Sequence, residues 1–214
     1  INENLELLKE KPKFIDGLRV TDANVLNMVE MTLSAQVNKK LVRLLQLQNV
    51  NAVGISGSDG SLIKASKKVQ EVDLGYVGSP TLVNPKVLTT LWEGGFVPVV
   101  SPISTSEEGQ PFNVNADHAA SAIANELSVD RLVFLSDVPG VLQDGEVINH
   151  LNKEKINDLI ESQVIQGGMI PKVNSCLDSL SKGIKEVHIA GWASKEQFVS
   201  QVIGEENSGT IISE

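Results

Sequence analysis

A chain of 214 residues is long enough for one large α/β domain or two smaller lobes sharing one sheet. Its net charge of −9 argues against nonspecific binding to nucleic acid or to a membrane surface, but a few local cations can still hold a small anion. One cysteine, Cys176, and three scattered histidines offer neither a disulfide framework nor a zinc cage, and without a long apolar run or a signal-peptide pattern the chain reads as soluble and cytoplasmic.

The first stretch, "INENLELLKEK", reads as the last turns of a helix already under way, so the chain is expected to lack its natural beginning. An extended piece, "KFIDGLRV", follows Pro12. Thr21 is placed to cap a helix carrying Val25, Leu26, Met28, Val29 and Leu33, and a second helix, "NKKLVRLLQLQ", carries Leu41, Leu44, Leu45 and Leu47. "NAVGISG" is a buried strand, and the glycine-punctuated pieces from 62 to 83 predict a hairpin. "NPKVLTTLWEGG" is a helix with Pro85 at its first turn.

"FVPVVSPI" is the next core strand. After it, "FNVNADHAA" hands a strand over to an alanine-rich helix through Asn113, Asn115 and Asp117. The strand "RLVFLSD", a loop around "PGVLQDGE" and the helices "KEKINDLIES" and "GMIPKVNSCLDSLSKG" come next. The strand "EVHIAG", a helix "SKEQFVSQVI" and a tail "SGTIISE" close the chain. Apolar runs without strict alternation, separated by helices, predict a mostly parallel sheet covered on both faces.

Ligands of open α/β sheets sit beyond the carboxyl ends of the strands. Arg19, Asn113, Asn115, Asp117, Asp137 and Lys172 all fall at such ends or at the start of the helix that follows. Taken singly, an Asn or Asp there is more often a cap or turn residue, and a lone Arg or Lys a solvated one. Lys172 lies one turn inside a helix introduced by Gly-Gly, where free N–H groups and an ammonium suit an anion such as phosphate. A simply solvated Lys172 remains the alternative. No G-x-x-x-x-G-K-[ST], G-x-G-x-x-G or G-x-S-x-G motif occurs.

Together the blocks "FIDGLRVTD", "VNPKVLTTLWEGGFVPVVSPI", "NVNADHAASAIANEL", "LVFLSDVPGVL" and "GGMIPKVNSCLDSL" resemble, in order and spacing, the acetylglutamate kinases of the amino acid kinase family. The resemblance runs from about Phe14 to the end of the chain. It implies a three-layer α/β/α sandwich on a mainly parallel open sheet. Residues 1–107 would form a lobe for the amino acid substrate and the dimer contact, and residues 108–214 a nucleotide lobe. The implied reaction is transfer of a phosphoryl group from ATP, with Mg2+ held mainly by the nucleotide phosphates, to the γ-carboxylate of N-acetyl-L-glutamate in arginine biosynthesis.

The resemblance also carries roles. Arg19 matches the arginine on the substrate α-carboxylate, and Asn113 the asparagine that binds the substrate near it. Asn115 supports that loop. Asp117 matches the aspartate that orients the catalytic lysines, and Lys172 the lysine that neutralises charge on the ATP side. Asp137, Val138, Pro139, Gly140, Val141 and Leu142 match the adenosine loop, and Val164, Ile165 and Gln166 the segment closing on the base. No protein metal ligands are implied, and a homodimer is.

The family's initial K-x-G-G strand and H-G-G-G turn do not occur in these 214 residues. The chain alone is therefore expected to be inactive or unfolded. The alternatives are another amino acid kinase, such as an aminoadipate-type enzyme, or a non-catalytic ligand-binding homologue.

Overall fold

The computed structural model describes residues 1–7, 11–192 and 209–213, and the chain divides into two units, Ile1–Glu126 and Leu127–Glu214. The sequence placed a lobe boundary after residue 107. The structural division falls later because the strand and helix that follow residue 107 pack with the strands before it.

The first unit opens with α1 (Asn2–Leu7), whose Leu5 is buried against Val25, Val29 and Ile103. The piece read as extended is a tight hairpin of β1 (Phe14–Ile15) and β2 (Leu18–Arg19). Asp16 and Gly17 turn it with positive φ angles of 50° and 77°, the backbone that an Asp-Gly hairpin turn requires. That turn sets Phe14 opposite Arg19.

The next helix, α2 (Ala23–Glu30), is capped by Asp22 rather than Thr21: the Asp22 carboxylate accepts the Val25 N–H at 2.9 Å. Thr21 is unavailable as a cap, because its hydroxyl bonds to Arg19 and Asn113. The two helices expected here run on without a break. A π-helical stretch, Met31–Val37, joins α2 to α3 (Asn38–Gln46), and no Gly or Pro occurs between 23 and 46 to interrupt them.

The wide π turn directs polar side chains at the strands beneath. β3 (Ala52–Ser56) and β6 (Val97–Ser101) pair in parallel. The Ser34 and Ser101 hydroxyls lie 2.7 Å apart, and the buried Asn38 amide donates to Ile55 O at 3.0 Å and Val99 O at 2.8 Å. Gly54 admits this contact, because a Cβ there would sit 1.9 Å from Asn38 Oδ1.

The predicted hairpin is present as β4 (Ile63–Lys67) and β5 (Val77–Val83), antiparallel with a shift in register between Lys64 and Ala65. These strands close into a small barrel with β7 (Ile103–Thr105) and β8 (Pro111–Val114), in the order β4-β5-β8-β7. Helix α4 (Lys86–Glu93) precedes β6, with Pro85 as its N-cap. Helix α5 (Ala116–Glu126) follows β8 and packs on β5. Leu62, Ile63, Leu88, Ile103 and Val114 are fully buried in this unit.

The second unit has a four-stranded sheet made, in spatial order, of β12 (His150–Leu151), β14 (Thr210–Ile212), β13 (Glu186–Gly191) and β9 (Arg131–Ser136). In it β9 and β13 run parallel, as the buried runs predict. The stretch read as a tail forms β14, inserted between β13 and β12. A second Asp-Gly hairpin, β10 (Leu142–Gln143) with β11 (Glu146–Val147), replaces the predicted loop. Helices α6 (Lys153–Glu161) and α7 (Met169–Ser181) complete the unit. The helix expected at 194–203 lies outside the described residues. Among the described residues no helix is long and apolar enough to cross a membrane.

The Asn38–Gly54 contact generates a stability prediction. Gly54→Ala should destabilise the protein by about 1–3 kcal/mol in urea unfolding, since the added methyl overlaps the buried amide. In an Asn38→Ala background the same change should cost clearly less, because the overlapping oxygen is gone. Equal losses in the two backgrounds would refute the contact.

Candidate active site

Arg19 and Asn113 are brought together by one intermediate side chain. Thr21, fully buried, donates its hydroxyl to Arg19 O at 2.8 Å and accepts the Asn113 side-chain N–H at 3.0 Å. The Arg19 guanidinium lies 4.6 Å from the centroid of the Phe14 ring, and its Nη2 donates to Asn2 Oδ1 at 2.8 Å. Its Nη1 is buried with no hydrogen-bond partner among the described residues. Burial also holds the guanidinium pKa below its ordinary value. A buried donor without an acceptor is expensive, and a planar fork supported on an aromatic ring is well shaped for a carboxylate.

Where β8 enters α5, the Asn115 side chain accepts the N–H groups of Asp117 at 3.0 Å and His118 at 3.1 Å. Asn115 is therefore the cap of α5, which accounts for it without a ligand. Asp117 is half-buried in the first turn of that helix, where the positive end of the helix dipole favours a carboxylate.

In the second unit the two segments expected around adenosine converge. Val138, Gly140, Val141 and Leu142 from one, and Val164, Ile165 and Gln166 from the other, line a pocket of about 300 Å3 together with Met169. That volume lies at the lower end of the range for small-molecule sites, about 300–1,000 Å3. Asp137 and Pro139 stand on the same loop but do not line the pocket. Asp137 is exposed and accepts the Ser136 hydroxyl at 3.3 Å.

Both walls are fixed by backbone bonding. The Val141 N–H donates to the buried Thr210 hydroxyl at 2.8 Å, and Val141 O accepts from Ile148 N–H at 2.9 Å. Gly191 lets the loop pass against the end of β13, since a Cβ there would lie 2.6 Å from Pro139 Cα. On the other wall, the N–H groups of Val164 and Ile165 share Leu159 O at the end of α6, 2.9 Å from each.

Lys172 is the fourth residue of α7, behind its cap Gly168, with its side chain half-buried and its Nζ 5.3 Å from the Phe134 ring centroid. Sequence reasoning missed the supports of this site. Met169 lies inside the quoted "GGMIPK" block, and Gly191 ends a predicted strand, so both carried a weak signal. Thr210 carried none, because its strand was read as tail.

The description of the amino acid kinase family matches residues 1–191. An acetylglutamate kinase of Aquifex aeolicus is 42% identical over 228 residues, covering 99% of this chain and 76% of that protein. One of Leptospira biflexa is 40% identical, with the same two coverages of 99% and 76%. Among solved structures, smu.665 of Streptococcus mutans superposes with a TM-score of 0.85 at 28% identity, covering 99% of this chain and 81% of that one. The match over most of the chain, on an α/β fold that its solved relatives share, has one consequence: this chain belongs to the amino acid kinase family.

Proposed function

We propose that the protein transfers the terminal phosphoryl group of ATP to the γ-carboxylate of N-acetyl-L-glutamate. The observation that carries this reading is the Arg19 guanidinium, half-buried on Phe14 with one nitrogen lacking an acceptor among the described residues, on a residue whose backbone carbonyl is tied through the Thr21 hydroxyl to Asn113. An α-carboxylate supplies the missing acceptor. Likeness to acetylglutamate kinases at about 40% identity supports N-acetyl-L-glutamate as the amino acid.

The chemistry needs little from the protein beyond position and charge. A γ-carboxylate is already ionised at neutral pH, so one of its oxygens attacks the terminal phosphorus without a general base. The bond from that phosphorus to the bridging oxygen breaks, ADP leaves, and an acyl phosphate forms. Asp117 therefore acts by holding cationic groups in place, not by moving a proton. Lys172 neutralises charge that grows on the transferring group.

The pocket between residues 138–142 and 164–166 takes the adenosine. The Mg2+ ion would travel with the nucleotide phosphates. We further propose a cytoplasmic homodimer. The helix from 23 to 46 and its C-cap Leu47 leave Met31, Leu41, Leu44 and Leu47 exposed, more apolar surface than a solvated helix needs.

Steady-state kinetics on the intact protein test the assignment. Arg19→Lys should raise the KM for N-acetyl-L-glutamate about ten- to a hundredfold and leave the KM for ATP nearly unchanged, because a bidentate contact becomes a point charge. A rise in the ATP KM instead would move Arg19 to the nucleotide. Preferred turnover of aminoadipate would replace the proposed substrate.

Lys172→Ala should lower kcat about 10²–10³-fold with modest change in either KM, the signature of a group used in the transition state. An unchanged kcat would return Lys172 to a solvated role.

Thr210→Val should raise the KM for ATP about fivefold and spare the amino acid KM, since the Val141 N–H loses its buried acceptor and the loop loosens. An unaltered ATP KM would separate this loop from nucleotide binding.

A further inference from the structure

Thr21 lies at a crossing of three chain segments. Its N–H donates to Leu74 O at 2.9 Å, and its own carbonyl accepts the Tyr76 N–H at 2.7 Å. Tyr76 O in turn accepts the Asn113 N–H at 2.9 Å. The backbone of β8 at Asn113 and the end of β2 at Arg19 are thus held to one frame, and the Thr21 side chain lies inside it with no exposed surface.

A threonine hydroxyl has one proton and two lone pairs. Its partner at 2.8 Å, Arg19 O, is a carbonyl and can only accept, so the proton is spent there. What remains toward Asn113 is a lone pair. Only the N–H side of the Asn113 amide can meet it, and Nδ2 stands at 3.0 Å.

An asparagine amide is otherwise free to exchange its oxygen and nitrogen by rotation. Here the rotation is settled by the fixed carbonyl of Arg19, relayed through the hydroxyl. Asn113 is left with its Oδ1 and a second N–H to offer a ligand, each at a defined place relative to Arg19.

We infer that Thr21 is a positioning residue for the amino acid substrate: its hydroxyl fixes which way the Asn113 amide faces and ties that choice to the strand carrying Arg19. The inference rests on the assignment of Arg19 and Asn113 to substrate made above. Thr21 need not touch the ligand. Rotating the amide by half a turn would exchange an acceptor for a donor, turning an attraction to a polar substrate group into a repulsion.

The test uses the intact protein and four variants: Asn113→Ala, Thr21→Val, Thr21→Ser, and Thr21→Val with Asn113→Ala. Thr21→Val keeps the shape and removes the relay, and should raise the KM for N-acetyl-L-glutamate about tenfold while sparing that for ATP. Thr21→Ser restores the hydroxyl and should recover most of the affinity. The double variant should be no worse than Asn113→Ala alone, since an absent amide cannot be misdirected. A Thr21→Ser variant as impaired as Thr21→Val, or losses that multiply in the double variant, would overturn the inference.

A second readout does not depend on turnover. The Asn113 side-chain NH2 pair, identified in a 15N–1H spectrum by its disappearance in Asn113→Ala, should show one downfield, slowly exchanging proton. That pattern should survive in Thr21→Ser and vanish in Thr21→Val. Averaged Asn113 amide protons in the unmodified protein would overturn the inference even if Thr21→Val failed to fold. An unchanged N-acetyl-L-glutamate KM in Asn113→Ala, with the amide pattern present, would instead overturn the substrate assignment and leave the geometry standing.

Discussion

Buried backbone N–H and C=O groups must find partners, and in both units short polar side chains supply decisive ones. Asn38 serves two strand carbonyls at once, from Ile55 and Val99. Thr21 serves Arg19 O, and Thr210 serves the Val141 N–H. Asn38 and Thr210 reach these groups from other segments, and Thr21 ties the end of its own strand to Asn113. The consequence is geometric: the end of a strand or the course of a loop is held by a single hydroxyl or amide. Such bonds are worth little in net stability when intact and much more when one partner is removed, so they act chiefly as locators.

Locators of this kind explain the pattern of what could be read in advance. β3, β6, β9 and β13 were legible because each is a run of apolar residues bounded by turn signals. The continuity of α2 and α3 was not, because π and α turns carry nearly the same apolar spacing over a few residues. β14 has three residues, too short to show a period of two, and it is recognised only through its neighbours β12 and β13. At positions 21 and 22 the chain has two good capping residues in succession. Which of them caps is decided by Arg19 and Asn113, the latter 92 residues away, and local pattern carries no trace of that.

The candidate site divides along the same line. Residue types at strand ends pointed to Arg19, Asn113, Asp117 and Lys172, and family resemblance supplied the adenosine segments. The convergence of 138–142 with 164–166 on one pocket depends on α6 ending where Val164 and Ile165 can share one carbonyl. Asn115 has the composition of a ligand-binding residue and the geometry of a cap. Its case shows why the residue type alone does not decide: the same oxygen can serve a helix N-terminus or a substrate, and bond distances separate the two.

An acidic chain proposed to handle two anions must place its cations carefully. With a net charge of −9, the mean field of the protein repels both a carboxylate substrate and a polyphosphate. Attraction therefore has to come from nearby groups whose fields are incompletely screened. Arg19 and Lys172 meet that condition in the same way, each half-buried with its charge against an aromatic ring, Phe14 or Phe134. The ring gives a cation partial compensation without neutralising it and restricts its motion. A cation held this way loses some hydration before any ligand arrives, so less desolvation and less ordering remain to be met on binding. The same preorganisation is what transfer between two anions demands at the moment charge moves. Placement on a ring, more than the number of positive residues, is how this sequence would reconcile an acidic composition with the anionic substrates proposed for it.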